Sequence, residues 1–261
     1  MHIPTFSTSD DPGPDFANLL RTQGLSPAVP EGPVAAAGAI PHGTTVVAIR
    51  YADGVVMAGD RRATSGNFIS HRSIEKVFPA DRWSGVAIAG AAGPAMEMVK
   101  LFQLQLEHYE KVEGQALSLE GKANQLSQMV RNHLPAAMQG LAVVPLFAGY
   151  DTRRGVGRLF QYDVTGGRYE ENDYATSGSG GLHAATVVKL GFADGLDRAA
   201  TVDLALKALM TAADEDSATG GPDPVRGIWP VIATIDADGF TRLADTELAE
   251  RFAALTEGPN A

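Results

Sequence analysis

The chain has 261 residues, 44% of them hydrophobic, enough to pack one large domain or two small ones. It contains no cysteine, which rules out disulfide frameworks, thiolate metal sites and cysteine nucleophiles and suits a reducing cytosol. Acidic residues outnumber basic ones 31 to 21, for a formal charge of −10; that balance repels nucleic acid and anionic lipid, and no apolar run approaches the roughly 18 residues of a membrane span.

Residues 1–43 hold seven of the 15 prolines: Pro4, Pro12, Pro14, Pro27, Pro30, Pro33 and Pro41. Such a segment sustains neither a helix nor a strand ladder. Composition alone makes it a tail; a removable pro-segment is the sharper reading, and it depends on the residues from Gly43 onward. Residues 1–15 carry Asp10, Asp11 and Asp15 and no basic stretch, so no secretion signal is expected.

Regular structure is expected from Thr44 onward. Residues 45–51 are a β-branched run, Asp53-Gly54 is a two-residue hairpin signal, and residues 55–58 return as a second strand. Residues 74–78 and 86–89 read as further strands. Met98, Leu101, Phe102, Leu106 and Tyr109 recur at helical spacing, as do Leu119, Ala123, Leu126, Val130 and Leu134, with a kink expected at Pro135. Strands are expected over 141–150 and 159–164. A helix opens at Gly178-Ser179-Gly180-Gly181 and runs through Leu190; Val202, Leu206, Leu209 and Ala213 mark another. Residues 228–235 and 240–243 close a hairpin through Asp238-Gly239, ahead of a short helix over about 245–252.

Helices that come in pairs between runs of strands do not give the regular alternation of a parallel βαβ sheet. The expected fold is α+β: a four-layer αββα sandwich of two stacked antiparallel sheets, each covered by a helix pair. The expected divisions are 1–43, a domain over 44–255, and a tail over 256–261.

Most familiar chemistry is missing. No phosphate-binding or dinucleotide fingerprint is present, the six histidines form no HExxH pair, and no Gly-x-Ser-x-Gly elbow appears. What remains is Gly43-Thr44-Thr45. A threonine hydroxyl is a weak nucleophile that needs an adjacent base. If Thr44 becomes the first residue, its own α-amine, with an ordinary pKa of about 7.7–8.0, supplies that base directly or through one water. Gly43, without a side chain, leaves its carbonyl open to approach by the Thr44 hydroxyl. Asp60 comes after the second strand at Gly59-Asp60-Arg61-Arg62, and Lys76 lies in the apolar run 74–78. A buried lysine must be paired or neutral, and Asp60 is a natural partner. Taken singly, Asp60 also reads as a turn acid, and Lys76 as an edge-strand side chain facing solvent.

The combination resembles the β-subunit of the 20S proteasome, actinobacterial type, an N-terminal-nucleophile (Ntn) hydrolase and threonine peptidase. Thr44-Thr45-Val46-Val47-Ala48 resembles the start of its mature chain. Gly59-Asp60-Arg61-Arg62-Ala63-Thr64 is similar to the segment with its catalytic aspartate, and Lys76 falls where its lysine does. Asp60 and Lys76 lie 16 and 32 positions after Thr44, without gaps. Ile88-Ala89-Gly90-Ala91-Ala92-Gly93 resembles its oxyanion and substrate loop. Gly178-Ser179-Gly180 and Asp216-Ser217-Ala218-Thr219-Gly220-Gly221 resemble the segments that complete the site, with Ser177 the alternative to Ser179 and Thr219 standing where other relatives have serine.

The resemblance implies autocleavage between Gly43 and Thr44, then endopeptidase action by Thr44 with Asp60, Lys76, Ser179, Asp216 and Thr219, and the Gly90 N–H as oxyanion donor. It implies main-chain pairing of substrate to Thr64 and Ala92, and an apolar specificity pocket of Ala63, Ile88, Ala92 and Met96. It further implies heptameric β-rings stacked with heptameric α-rings (14 α and 14 β), a ring-shaped ATPase that feeds unfolded or protein-tagged polypeptides, a cytoplasmic location, and no metal or organic cofactor. The rivals are a two-ring ATP-dependent peptidase with the same Thr-Thr start, a small-molecule amidase of the same nucleophile class, and an inactive structural β-subunit.

Overall fold

The computed structural model describes residues 44–257; the 1–43 segment with Gly43, and residues 258–261 of the expected tail, lie outside the described residues. In chain order the elements are β1 (Thr45–Tyr51), β2 (Gly54–Gly59), β3 (Ala63–Ser65), β4 (Phe68–His71), β5 (Val77–Asp81), β6 (Ser84–Gly90), α1 (Ala92–Glu113), α2 (Leu119–Asn132), α3 (Leu134–Ala137), β7 (Val143–Asp151), β8 (Val156–Tyr162), β9 (Arg168–Glu171), β10 (Tyr174–Gly178), α4 (Gly181–Gly191), α5 (Arg198–Glu215), β11 (Val231–Asp236), β12 (Gly239–Arg242) and α6 (Asp245–Glu257). The chain is a mixed α/β protein with antiparallel sheets. One five-stranded sheet has the order β10-β1-β2-β11-β12, the other β5-β6-β7-β8-β9, and β3-β4 form a separate hairpin.

The central strands β1, β2 and β6 are buried almost throughout, so they read as continuous apolar runs rather than alternating ones. Alternation still sorts their side chains. Val46, Ala48 and Met57 of the first sheet pack with Ala87, Ala89, Leu146 and Ala148 of the second. Val47, Ile49 and Val56 point the other way, against Val188, Leu206 and Leu209 of α4 and α5 and Leu248 of α6. On the second sheet, Val86, Phe147 and Phe160 pack with Phe102 of α1 and with Leu126 and Val130 of α2. Phe102 meets Phe147 edge-on at 5.8 Å, a geometry that adds to simple burial.

Several local expectations shift. The β1–β2 turn consists of Ala52 and Asp53, since Tyr51 pairs with Gly54. Gly54 opens β2 instead, and a side chain there would run into the Ile235 carbonyl oxygen at 2.2 Å, so close packing explains this glycine. Pro135 does not kink a long helix. The α2 helix ends at Asn132, and Pro135 sits in the first turn of α3, where a missing N–H costs nothing. Lys76 precedes β5 rather than lying within it, and its run at 74–76 is irregular. The final helix extends to Glu257, past its expected end near 252. No helix among the described residues is long and apolar enough to cross a membrane.

Candidate active site

Thr44 stands immediately before β1 and is only 4% exposed. Its position is set by the strand. Thr45 pairs with Gly178 of β10 on one side, and Val46 with Gly59 of β2 on the other. Gly178 has φ of +98°, and a Cβ there would sit 2.0 Å from the Thr44 carbonyl oxygen, so only glycine lets β10 pass this close.

Asp60 comes directly after β2 and is fully buried. Its Oδ1 accepts the Thr45 N–H at 2.8 Å and Lys76 Nζ at 2.6 Å. Its Oδ2 accepts the Arg62 and Gly220 N–H groups, both at 2.9 Å. A buried carboxylate with this many donors is satisfied as an anion. Lys76 Nζ also donates to the Arg62 carbonyl at 2.6 Å. Burial pushes the Lys76 ammonium below the usual lysine range, with Asp60 pulling the other way.

A second network lies on the other side of Thr44. The Thr44 N–H donates to Ser179 Oγ at 3.3 Å, and Ser179 Oγ donates to Asp216 Oδ2 at 2.5 Å. The Thr219 hydroxyl donates to the same oxygen at 2.6 Å and lies 2.6 Å from Thr45 Oγ1. Burial alone would raise the Asp216 pKa, but the hydroxyls of Ser179 and Thr219 and the Ala218 N–H outweigh it and hold the carboxyl below its ordinary range. Ser179, not Ser177, meets Thr44; the Ser177 hydroxyl donates to the Val144 carbonyl instead.

Thr44 and Lys76 open onto a cavity of about 330 Å³. Ala63, Thr64, Ile88, Gly90, Ala92 and Met96 all line it. Strand alternation aims the Gly90 N–H at this space. The Ile88 N–H faces the Lys76 carbonyl at 2.9 Å, Gly90 two residues on faces the same side, and the Ala91 N–H of opposite parity turns away to Ala142. Sequence reasoning missed Ser70 and His71 of β4 and Leu141 as further cavity walls, the Arg62 carbonyl as a Lys76 partner, and the Thr45 hydroxyl. The hairpin that carries Ser70 and His71 is exposed and gives no apolar pattern. No group of three or more potential ligands among the described residues is arranged to hold a metal ion.

A family model for the proteasome subunit matches residues 40–225. The proteasome subunit beta of Acidimicrobium ferrooxidans is 60% identical over 250 residues, 96% of this chain and 92% of that one. The chain belongs to the proteasome β-subunit family. Its relative of that name in Streptomyces griseus is 56% identical over 225 residues (86% and 80% of the two chains), and that in Jonesia denitrificans 57% over 209 (80% and 69%). Membership makes this chain a component of a proteasome core peptidase. The family match takes in Thr44, Asp60, Lys76, Gly90, Ser179, Asp216 and Thr219 and ends before β11.

Proposed function

We propose that this chain is the catalytic β-subunit of a 20S proteasome, a threonine endopeptidase whose nucleophile is Thr44 after cleavage at Gly43–Thr44. The observation that carries the reading is the shared Asp60 Oδ1, which holds the Lys76 ammonium and the N–H of the residue next to Thr44 at once. That arrangement places a fixed positive charge at the cavity that Thr44 faces, where it favours an alkoxide-like oxygen.

In the first step Thr44 Oγ1 attacks the Gly43 carbonyl, the acyl group passes from nitrogen to oxygen, and water hydrolyses the ester to free the α-amine. In turnover that amine takes the hydroxyl proton as Oγ1 attacks a substrate carbonyl. The Gly90 N–H holds the oxyanion, a contribution of roughly 3–4 kcal/mol in comparable sites. The amine returns the proton to the leaving nitrogen, and water releases the acyl group. Substrate lies as an added strand on Thr64 and Ala92.

The two sheets, stacked through their shared apolar interior and faced by α1–α2 and α4–α5, fit the four-layer αββα sandwich of the Ntn hydrolases. In the same reading two heptameric β-rings stack with two heptameric α-rings, and a ring-shaped ATPase feeds unfolded or tagged proteins in the cytoplasm.

The test is mass spectrometry of the chain co-expressed with an α-subunit. The wild-type chain loses residues 1–43 and cleaves peptides. Thr44→Ala keeps them and is inactive; a processed or active Thr44→Ala chain overturns the proposal. Particle size separates a 28-subunit barrel from a 12-subunit ring pair or a small oligomer.

A further inference from the structure

Thr45 is fully buried, and its side chain is polar on a strand whose neighbouring positions on the same face, Val47 and Ile49, are apolar core. A buried hydroxyl in such a place needs a partner, and its partner is Thr219 Oγ1 at 2.6 Å. The direction of that bond is set at its far end. Asp216, held as a carboxylate, only accepts, so the Thr219 hydroxyl spends its one proton on Asp216 Oδ2. Thr219 Oγ1 must then accept, and Thr45 must donate. Protons therefore run from Thr45 to Thr219 to Asp216, where they meet the proton arriving from Ser179, which itself accepts the Thr44 N–H.

The surroundings are shaped for this pair. Gly180 lies against it: a Cβ there would sit 2.3 Å from Thr45 Oγ1 and 2.7 Å from Thr219 Oγ1. The main chain of Thr45 is equally committed, its N–H going to Asp60. One residue thus touches both carboxylates of the site, Asp60 through its backbone and Asp216 through a hydroxyl relay.

We infer that Thr45 is a positioning residue, its hydroxyl orienting Thr219 so that the Asp216–Ser179 pair holds the Thr44 nitrogen in its reactive geometry. The inference rests on the Thr44 nucleophile reading. Thr45→Val keeps the shape and deletes the donor. Thr219 is then free to turn, and Asp216 is less well held as an anion.

The experiment uses the full chain assembled with its α partner and measures kcat and KM on an apolar fluorogenic peptide from pH 5 to 9, for wild type, Thr45→Val, Thr45→Ser, Gly180→Ala and Thr44→Ala. Thr45→Val lowers kcat about tenfold, the scale of one hydrogen bond, with KM within about twofold. Its acid limb, set by the Thr44 α-amine, moves to lower pH, because a less well held Asp216 carboxylate favours the neighbouring ammonium less. Thr45→Ser restores the wild-type limb. Gly180→Ala, which keeps both hydroxyls but parts them, shifts the limb as Thr45→Val does and serves where the valine variant fails to assemble. An unmoved limb in Thr45→Val or Gly180→Ala, or a serine variant no better than valine, overturns the inference. Thr44→Ala keeps the two readings apart: its inactivity beside a wild-type Thr45→Val profile removes only the Thr45 role, while its activity removes the nucleophile and the inference with it.

Discussion

Lys76 Nζ lies 2.6 Å from Asp60 Oδ1, with both side chains shut off from solvent. The contact joins the start of β5 to the end of β2, and through Oδ1 it reaches the N–H of Thr45. A charge pair in such a place is a poor source of net stability and a strong constraint on geometry.

Asp60→Asn therefore tests two properties at once. It leaves a buried ammonium without its counter-charge, and stability falls by about 3–5 kcal/mol. Asp60→Asn/Lys76→Met regains much of that in thermal unfolding but none of the peptidase activity. Equal stability in the single and double variants contradicts this account.

The pH dependence of stability carries the sign of Lys76. Its folded pKa lies below the ordinary value of 10.5 because burial disfavours the charge. Between the folded value and 10.5 the unfolded chain binds more protons, so stability rises with pH over that interval. Lys76→Met removes this contribution, and unfolding midpoints measured towards about pH 10 climb less in the variant than in wild type.

Gly178→Ala forces a Cβ into the Thr44 carbonyl, where only backbone is available to move. A displacement of Thr44 on the ångström scale lowers kcat on the order of 100-fold. The accompanying strain costs about 1–3 kcal/mol, so activity at a temperature well below unfolding reads out the displacement separately.

Beside Lys76, Glu75 and His71, the cavity has an uncharged wall of Ala63, Ile88, Ala92 and Met96 to receive a side chain. Peptides with an apolar residue before the cut are cleaved at least about tenfold faster than those with Asp or Glu there, since an unpaired carboxylate is costly to bury. Met96→Glu shifts preference towards Lys and Arg, measured with a peptide library varied at that residue.

Arg158 supplies a control far from Thr44. It is 6% exposed, bonded to Glu170 at 2.6 and 2.7 Å, to Glu120 at 2.7 Å and to Asp151 at 3.2 Å, and it lies over the Phe160 ring. Its hydrogen bonds hold the Glu120 and Glu170 carboxyls below their ordinary value of 4.5. That contribution is complete above pH 4.5 and is lost as pH falls through the lowered values. Arg158→Met loses about 1 kcal/mol near neutrality, solvent screening the half-exposed Glu120 and Glu170, and less in acid, with kcat per assembled site unchanged.

How much of the molecule is legible in the sequence depends on the distance over which each signal acts. The β1–β2 hairpin is local, and its β-branched runs make it legible; the Asp60 and Lys76 spacings carry weight only through the resemblance to the family. The strands β9 and β10 and the β3–β4 hairpin leave weaker traces, because Arg168–Glu171 and Phe68–His71 are largely exposed and carry no buried alternation. Thr45 and Thr219 are 174 positions apart, and no periodicity links them; only the fold sets one hydroxyl against the other. Ser179 and Ser177 share a strand end, and the left-handed turn at Gly178 decides which of them faces Thr44.

Chain ends ordinarily fray, because their first residues have neighbours on one side at most. The segment that begins at Thr44 is stitched along both edges, to β10 from Thr45 and to β2 from Val46. Cutting the bond before Thr44 leaves every one of those stitches in place. The newborn terminus would then exchange its amide hydrogens at Val46 and Val47 as slowly as mid-sheet residues do, and it would be ready for work without any refolding.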